Sequence, residues 1–275
     1  MTRTKSSNEI RITRVYDAPL RVVWDAWTVT EQVERWWGPR GFTLTTHKKD
    51  LRVGGTWRYT MHGPDGVDYP NVTKYLEVEP LKKLVYDHGG TDDTPPLFRV
   101  TVTFAEVDGR TTMDMTMTLE SPEAARNAAK FIKHAGGNST WDRLAEYVAQ
   151  TFSGKRHFVF NYVVEASLDR VLAQWSSPEQ LAKWAGSDVS ISRTEGAAGQ
   201  YTLLGTIAEP GGAALPTSSV LSAEAPDRTR VTVTSELPED ATPAEVELFA
   251  RERSERALRW TRAFDALDAE LGIEV

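Results

Sequence analysis

The strongest constraint on this chain is that it repeats itself. "WTVTEQVERWWG" at residues 27–38 returns as "WSSPEQLAKWAG" at residues 175–186. Extending the match without a gap pairs Val15 with Val163, Ala18 with Ala166, Val23 with Val171, Trp27 with Trp175, Trp36 with Trp184 and Gly38 with Gly186. Two tryptophans kept at one offset are hard to obtain by chance, and they read as packing anchors: Trp27 and Trp36 in the first copy, Trp175 and Trp184 in the second. A chain of 275 residues is long enough for two domains, each with its own core. The repeat therefore predicts two domains of one kind, residues 8–152 and residues 158–275, joined at the short polar stretch "SGKRH". So short a joint predicts that the two pack on each other as a pseudo-dimer.

The copies are unequal. Later echoes, Tyr59-Thr60 with Tyr201-Thr202 and Ser121-Pro122 with Thr242-Pro243, come at shrinking offsets, so the second copy has lost material in its middle. The first copy holds "FRVTVTFAEVDGRTTMDMTMTLE", a hairpin turning at Asp108-Gly109. The second offers only "RVTVTSEL" before its final helix, which predicts a sheet shorter by about two strands. The net charge of −7 also falls wholly on residues 155–275, an acidity that serves solubility. Neither half carries a basic stripe, so no nucleic-acid partner is expected.

Within one copy, "EIRITRVY" alternates as a strand, and Pro19 then opens a helix with Leu20, Val23, Trp24 and Trp27 on one face. A second short helix stops at Gly38-Pro39; in the second copy Ser177 caps it, with Gln180 at the capping-box position. "GTWRYTMHG" places Trp57, Tyr59 and Met61 on one face of a strand. The hairpin aligns Phe98, Val100 and Val102 with Met113, Met115 and Met117. Residues 121–151 read as helix, bent or broken at Gly136-Gly137. The fold class is α+β: in each copy a curved antiparallel sheet wrapped on a long C-terminal helix, with two short helices after the first strand.

Five motifs occur in order over residues 10–152: "RWWGP", "DLRVGGTWRY", "GPDG", "EVDGRT" and "WDRLAEY". Together they resemble the SRPBCC superfamily, also called START-like or Bet v 1-like, with a helix-grip fold. Within it they are most similar to the activator of Hsp90 ATPase homologue 1 subfamily. The second copy shares only the front and the final helix, and "GAAGQYT" is a weak counterpart of "RVGGTWRY". The resemblance implies a cavity for a small apolar or amphipathic ligand between sheet and helix.

Candidate chemistry is sparse. The five histidines are scattered with no HExxH, no Gly-x-Ser-x-Gly elbow is present, and no phosphate-cradling glycine loop opens a helix, so neither metal nor cofactor is expected. Cysteine is absent, which excludes disulfides, a thiolate nucleophile and Cys-ligated zinc. A polar start and the lack of any apolar run near ~18 residues point to a cytoplasmic protein with no membrane span. Asp87, Asp92 and Asp93 fall in "YDHGGTDDTPP", whose turn composition favours a solvated loop bordering the cavity mouth over a catalytic dyad. The Met113, Met115 and Met117 row is either packed core or an adaptable ligand wall. In the second case Trp57, Tyr59 and Met61 stand opposite Phe98, Val100 and Val102. The covering helix adds Phe131, Ile132 and Ala135, and Tyr86, His88 and His134 are the orienting polar groups beside Tyr59. By strand parity Arg58, Arg99 and Asp114 point outward.

Three functions compete on this reading. One is binding of a small hydrophobic or amphipathic molecule, with no catalytic residue. A second is polyketide cyclase- or dehydratase-like catalysis, as in some superfamily members, which calls for His88 or His134 as acid or base. The third is a co-chaperone role toward an Hsp90-type partner, suggested by the subfamily.

Overall fold

The computed structural model describes residues 8–89, 94–134, 139–175, 177–186, 189–196, 199–208 and 214–273, and it divides the chain into two compact units, Met1–Ser153 and Gly154–Val275. Asp92, Asp93 and Ala135 lie outside the described residues, as do the side chains of Phe131, Ile132 and His134.

The first domain begins with β1 (Glu9–Tyr16), followed by α1 (Leu20–Thr28) and α2 (Thr30–Trp36). Five strands come next: β2 (Thr43–Lys49), β3 (Thr56–His62), β4 (Asp68–Glu79), β5 (Lys83–His88) and β6 (Phe98–Val107). β7 (Arg110–Thr118) closes the sheet, and α3 (Pro122–His134) and α4 (Ser139–Ser153) complete the domain. The seven strands pair antiparallel in the order β1-β7-β6-β5-β4-β3-β2. Sequence reasons for these elements are local. Asp108 and Gly109 both take positive φ, the geometry that a two-residue β6–β7 hairpin requires. Gly38 (φ +93°) ends α2 in the left-handed region, where a Cβ is disfavoured.

The second domain runs β8 (Arg156–Val164), α5 (Leu168–Trp175), α6 (Pro178–Trp184), β9 (Val189–Glu195) and β10 (Gln200–Ala208). It ends in β11 (Ala214–Ala225), β12 (Arg228–Leu237), α7 (Pro243–Arg251) and α8 (Arg253–Glu270). Its sheet has five strands in the order β8-β12-β11-β10-β9, two fewer than the first. Ser177 caps α6 by accepting from the Gln180 amide, and Thr242 with Glu245 forms a complete capping box on α7.

The repeated words of the sequence are repeated hydrogen bonds. Trp36 Nε1 donates to the Ala26 carbonyl at 2.9 Å, and Trp184 Nε1 to the Gln174 carbonyl at 3.3 Å. The buried Thr111 hydroxyl donates to Ala18 O at 2.7 Å, and Thr229 to Ala166 O at 2.8 Å. Arg110 meets Asp17 at 3.3 Å, and Arg228 meets Glu165 at 3.6 Å. Gly186 (φ +91°) repeats Gly38. These equivalences align β12 with β7 and β11 with β6.

That alignment corrects the location of the loss. The final hairpin is kept in both domains, with "ALPTSSVLSAEA" as its first strand in the second. What the second domain lacks is the middle pair, the counterparts of β4 and β5. Two further readings are corrected. Asp87 and His88 are not loop residues but the end of β5, paired with Arg99 and Phe98. The final helix of the second domain is two helices, divided at Glu252 with no glycine to announce it, whereas α3 and α4 of the first end and begin on either side of the expected Gly136-Gly137.

Candidate functional site

Register builds the inner face of the first sheet as a series of rows. Trp57, Thr73, His88 and Phe98 form one. Tyr75, Tyr86, Val100, Met117 and Ile10 form the next. Leu84, Val102, Met115 and Ile12 follow, then Phe104, Met113 and Arg14. Two β-bulges set this pattern. One between Thr46 and Lys48 turns Lys49, rather than Lys48, to the face of Trp57; the other, between Tyr75 and Glu77, sits at Leu76.

The site residues expected from the sequence fall on this face. Trp57, Tyr59, Tyr86, Val100, Val102, Met113, Met115 and Met117 are buried in one apolar cluster, with Met61 and Phe98 packed at its border. Met113 is fully enclosed, its sulfur accepting from the Tyr16 hydroxyl at 3.8 Å; it belongs to the core. Asp114 points outward and accepts from Thr13 Oγ1 at 2.6 Å, and Arg99 pairs outside with Asp87 at 2.8 Å. Of the residues expected on the covering helix, α3 carries Phe131, Ile132 and His134 in its last turns.

At the end of the face nearest α2, aromatic rings converge. Trp37 lies edge-on to Trp57 at 5.2 Å, Trp57 overlaps Tyr59 at 4.2 Å, and His88 stacks on Phe98 at 4.8 Å. Trp37 Nε1 donates to the Tyr59 hydroxyl at 3.3 Å. Burial holds the Tyr59, Tyr75 and Tyr86 hydroxyls far above their ordinary range, and it pushes the His88 imidazole down to about 4. At neutral pH this end therefore carries polar groups without charge. Thr73 Oγ1 is buried there with no hydrogen-bond partner, beside the buried Tyr75 and Tyr86.

The loop from Trp37 to Phe42 is tied to α4. Arg143 donates to the carbonyls of Gly38 and Pro39, both at 2.8 Å, and to that of Phe42 at 3.2 Å. Arg40 forms a two-pronged pair with Glu146 at 2.5 and 3.1 Å, nearly buried on both sides. Burial alone works against the Arg40 charge, but Glu146 outweighs it and raises its pKa. Lys49, on the edge strand, donates to the Trp27 carbonyl at 3.0 Å and lies over the Trp57 ring at 4.5 Å. Burial lowers its pKa to about 7 against the pull of Glu34 and Glu31.

Sequence reasoning missed Thr73, Tyr75, Trp37 and Arg14. Alternation within "EIRITRVY" carried the signal for Arg14, since it shares the parity of Ile10, Ile12 and Tyr16.

The second domain has a shallow cleft between Trp175, Leu181, Leu203, Thr217, Ser219 and Trp260. Its free space admits the centre of a water over only about 10 Å³, the room of a single water. No group of three or more His, Asp or Glu side chains among the described residues is arranged to hold a metal.

Residues 17–149 match the family model described as "Activator of Hsp90 ATPase homolog 1-like protein". The first domain belongs to that family. A solution structure of a Staphylococcus epidermidis protein is 30% identical, with 55% of this chain and 96% of that chain covered and a TM-score of 0.48. Ms6760 of Mycobacterium smegmatis is 27% identical, covers 53% and 93%, and scores 0.48. The di-domain ARO/CYC BexL from the BE-7585A biosynthetic pathway is 15% identical over 94% of this chain and 97% of its own, at 0.43. No curated protein matches the chain. No helix among the described residues is long and apolar enough to cross a membrane.

Proposed function

We propose that the first domain binds a small hydrophobic or amphipathic molecule between its sheet and the α3–α4 segment. The observation that supports this reading is a set of uncharged polar groups inside an apolar wall, one of which, Thr73 Oγ1, has no partner. Thr73, Tyr75, Tyr86 and neutral His88 stand among Trp57, Phe98, Val100 and Met117. A purely structural core satisfies its buried hydroxyls, because each one left unpaired costs about 1–3 kcal/mol. A ligand site keeps a few convergent ones for its occupant.

Native mass spectrometry of the freshly purified full chain, compared with its denatured mass, tests the reading. A discrete added mass that vanishes on denaturation, and is lost in Trp57→Glu, is the expected result. A bare mass, together with no saturable binding across a panel of apolar molecules, overturns it.

A further inference from the structure

Arg14 is an anomaly that the packing of the first domain does not resolve. It lies on the inner face of β1, in register with Met113, and is only 6% exposed. One guanidinium nitrogen, Nη1, donates to the neighbouring Thr13 carbonyl at 2.9 Å. The other two, Nε and Nη2, have no partner and are closed off from solvent. These two nitrogens share one edge of the planar guanidinium and form the parallel donor fork that matches a carboxylate. Asp142, buried on α4, opposes Arg14 in its effect on the Tyr16 hydroxyl, so both charges lie within reach of that group. It balances charge at range without filling the fork.

A buried guanidinium with half its donors idle is costly, since desolvation is incurred and hydrogen bonds are not recovered. The equivalent position in the second domain shows the inexpensive solution. There Tyr162 stands where Arg14 does, and its hydroxyl donates to Asp268 on α8 at 2.7 Å. The first domain instead keeps a buried cation with an unpartnered edge on the inner face of its sheet.

We propose that Arg14 is the head-group anchor of the ligand site, and that the ligand class is a long-chain carboxylate. The carboxylate would sit on the Nε/Nη2 fork, parting the side chains that now cover it. The chain would run along Met115, Val100 and Met117 towards Phe98. These three row-to-row steps span about 20 Å at roughly 6.6–6.8 Å per two residues, the scale of an acyl chain rather than of a single ring. Arg14 opens the rows that the chain would follow, and His88 at the far end is neutral. A second cation of this face, Lys49, is already held by the Trp27 carbonyl and the Trp57 ring, whereas the Arg14 fork has no partner. The inference rests on the apolar-binding reading above and sharpens it to an anionic amphiphile.

Isothermal titration of the full chain with dodecanoate and with dodecan-1-ol, both below their aggregation concentrations, tests it. The wild type is expected to prefer the carboxylate by about 10- to 100-fold, the scale of a charge-assisted pair. Arg14→Met removes an unsatisfied buried charge and keeps an apolar side chain, so the domain stays folded. In that variant the carboxylate advantage disappears while the alcohol binds as before. Arg14→Lys, which keeps the charge without the fork, restores part of the advantage and serves if the methionine variant does not fold. Equal binding of acid and alcohol to the wild type overturns the head-group assignment and leaves apolar binding standing. Binding of neither overturns both.

Discussion

In the first domain Trp27 stacks on Trp141 at 5.5 Å and Trp36 leans on the same ring at 6.1 Å; in the second, Trp175 and Trp184 close on Phe264 at 5.9 and 5.7 Å. The joint between helix pair and C-terminal helix is the same device, with Phe264 in the place of Trp141. Beyond the joint the domains diverge. Around it the first domain adds Trp37, Trp57 and Tyr59, and continues through β4 and β5 into a face with idle polar groups. The second has Ala185 after α6 where the first has Trp37, and it lacks the β4–β5 pair. At the position of Arg14 it carries a tyrosine bonded to Asp268. Duplication kept what closes the fold and released what a ligand would touch.

The largest effects should come from the shared joint. Trp36→Ala and Trp184→Ala each remove a buried indole and its carbonyl hydrogen bond, which costs about 3–5 kcal/mol. Trp36 is fully enclosed and its bond is the shorter, 2.9 against 3.3 Å, so it should sit at the upper end. Chemical denaturation that resolves two transitions checks this. Each variant should move one transition, and a variant that moved both equally would break the picture of two separately stabilised cores.

The Arg40–Glu146 pair sharpens the contrast next. Glu146→Gln removes the carboxylate that Arg40 grips in two prongs and should destabilise the first domain by about 3–5 kcal/mol. Replacing both partners with apolar residues of similar volume should recover most of that loss. The same denaturation experiment reads both, and a double variant as weak as the single one contradicts the assignment.

Much of the joint was legible in the sequence, because its residues are large, rare and repeated. The rest was hidden for local reasons. "DYPNVTKYLEVE" turns Thr73 and Tyr75 inward and Val72 towards the other face, and the bulge at Leu76 then shifts the parity. An alternation of apolar residues cannot be read through a strand that inverts it. Lys49 was hidden by the second bulge in the same way. Arg14 was legible by parity alone, against the expectation that a charged residue in a strand faces water. The missing β4–β5 pair was countable from the shrinking offsets. It was not locatable, because "ALPTSSVLSAEA" carries little of the β-branched alternation of its counterpart in the first copy.

His88 gives a smaller, pH-dependent difference between the domains. Burial holds its imidazole at about 4 when folded, against an ordinary value of 6.5. The unfolded chain therefore binds a proton between these values that the folded one refuses, and stability is lost as pH falls from 6.5 towards 4. His88→Phe should flatten that limb in the first domain by about 1–3 kcal/mol and leave the transition of the second unchanged. A parallel pH dependence in variant and wild type would mean that the imidazole is not buried in solution.

Lys49 acts in the same direction in a more alkaline window and should give the smallest effect. Its ammonium is drawn between the Trp27 carbonyl and the Trp57 ring, yet burial brings its pKa to about 7 from 10.5. Between those values the unfolded chain holds a proton that the folded chain has released. The first domain therefore gains stability as pH rises from 7 to 10.5. The carbonyl contact at the end of α1, the ring and the nearby Glu31 and Glu34 return part of what burial takes from the charged form. Lys49→Met removes the charge and keeps the stem packed on Trp57, so it should raise the first transition by about 1 kcal/mol near pH 7 and abolish its alkaline gain. A variant less stable than the wild type at pH 7 would show that the cation–ring contact and the carbonyl outweigh burial. Lys49 would then be a strut of the aromatic end.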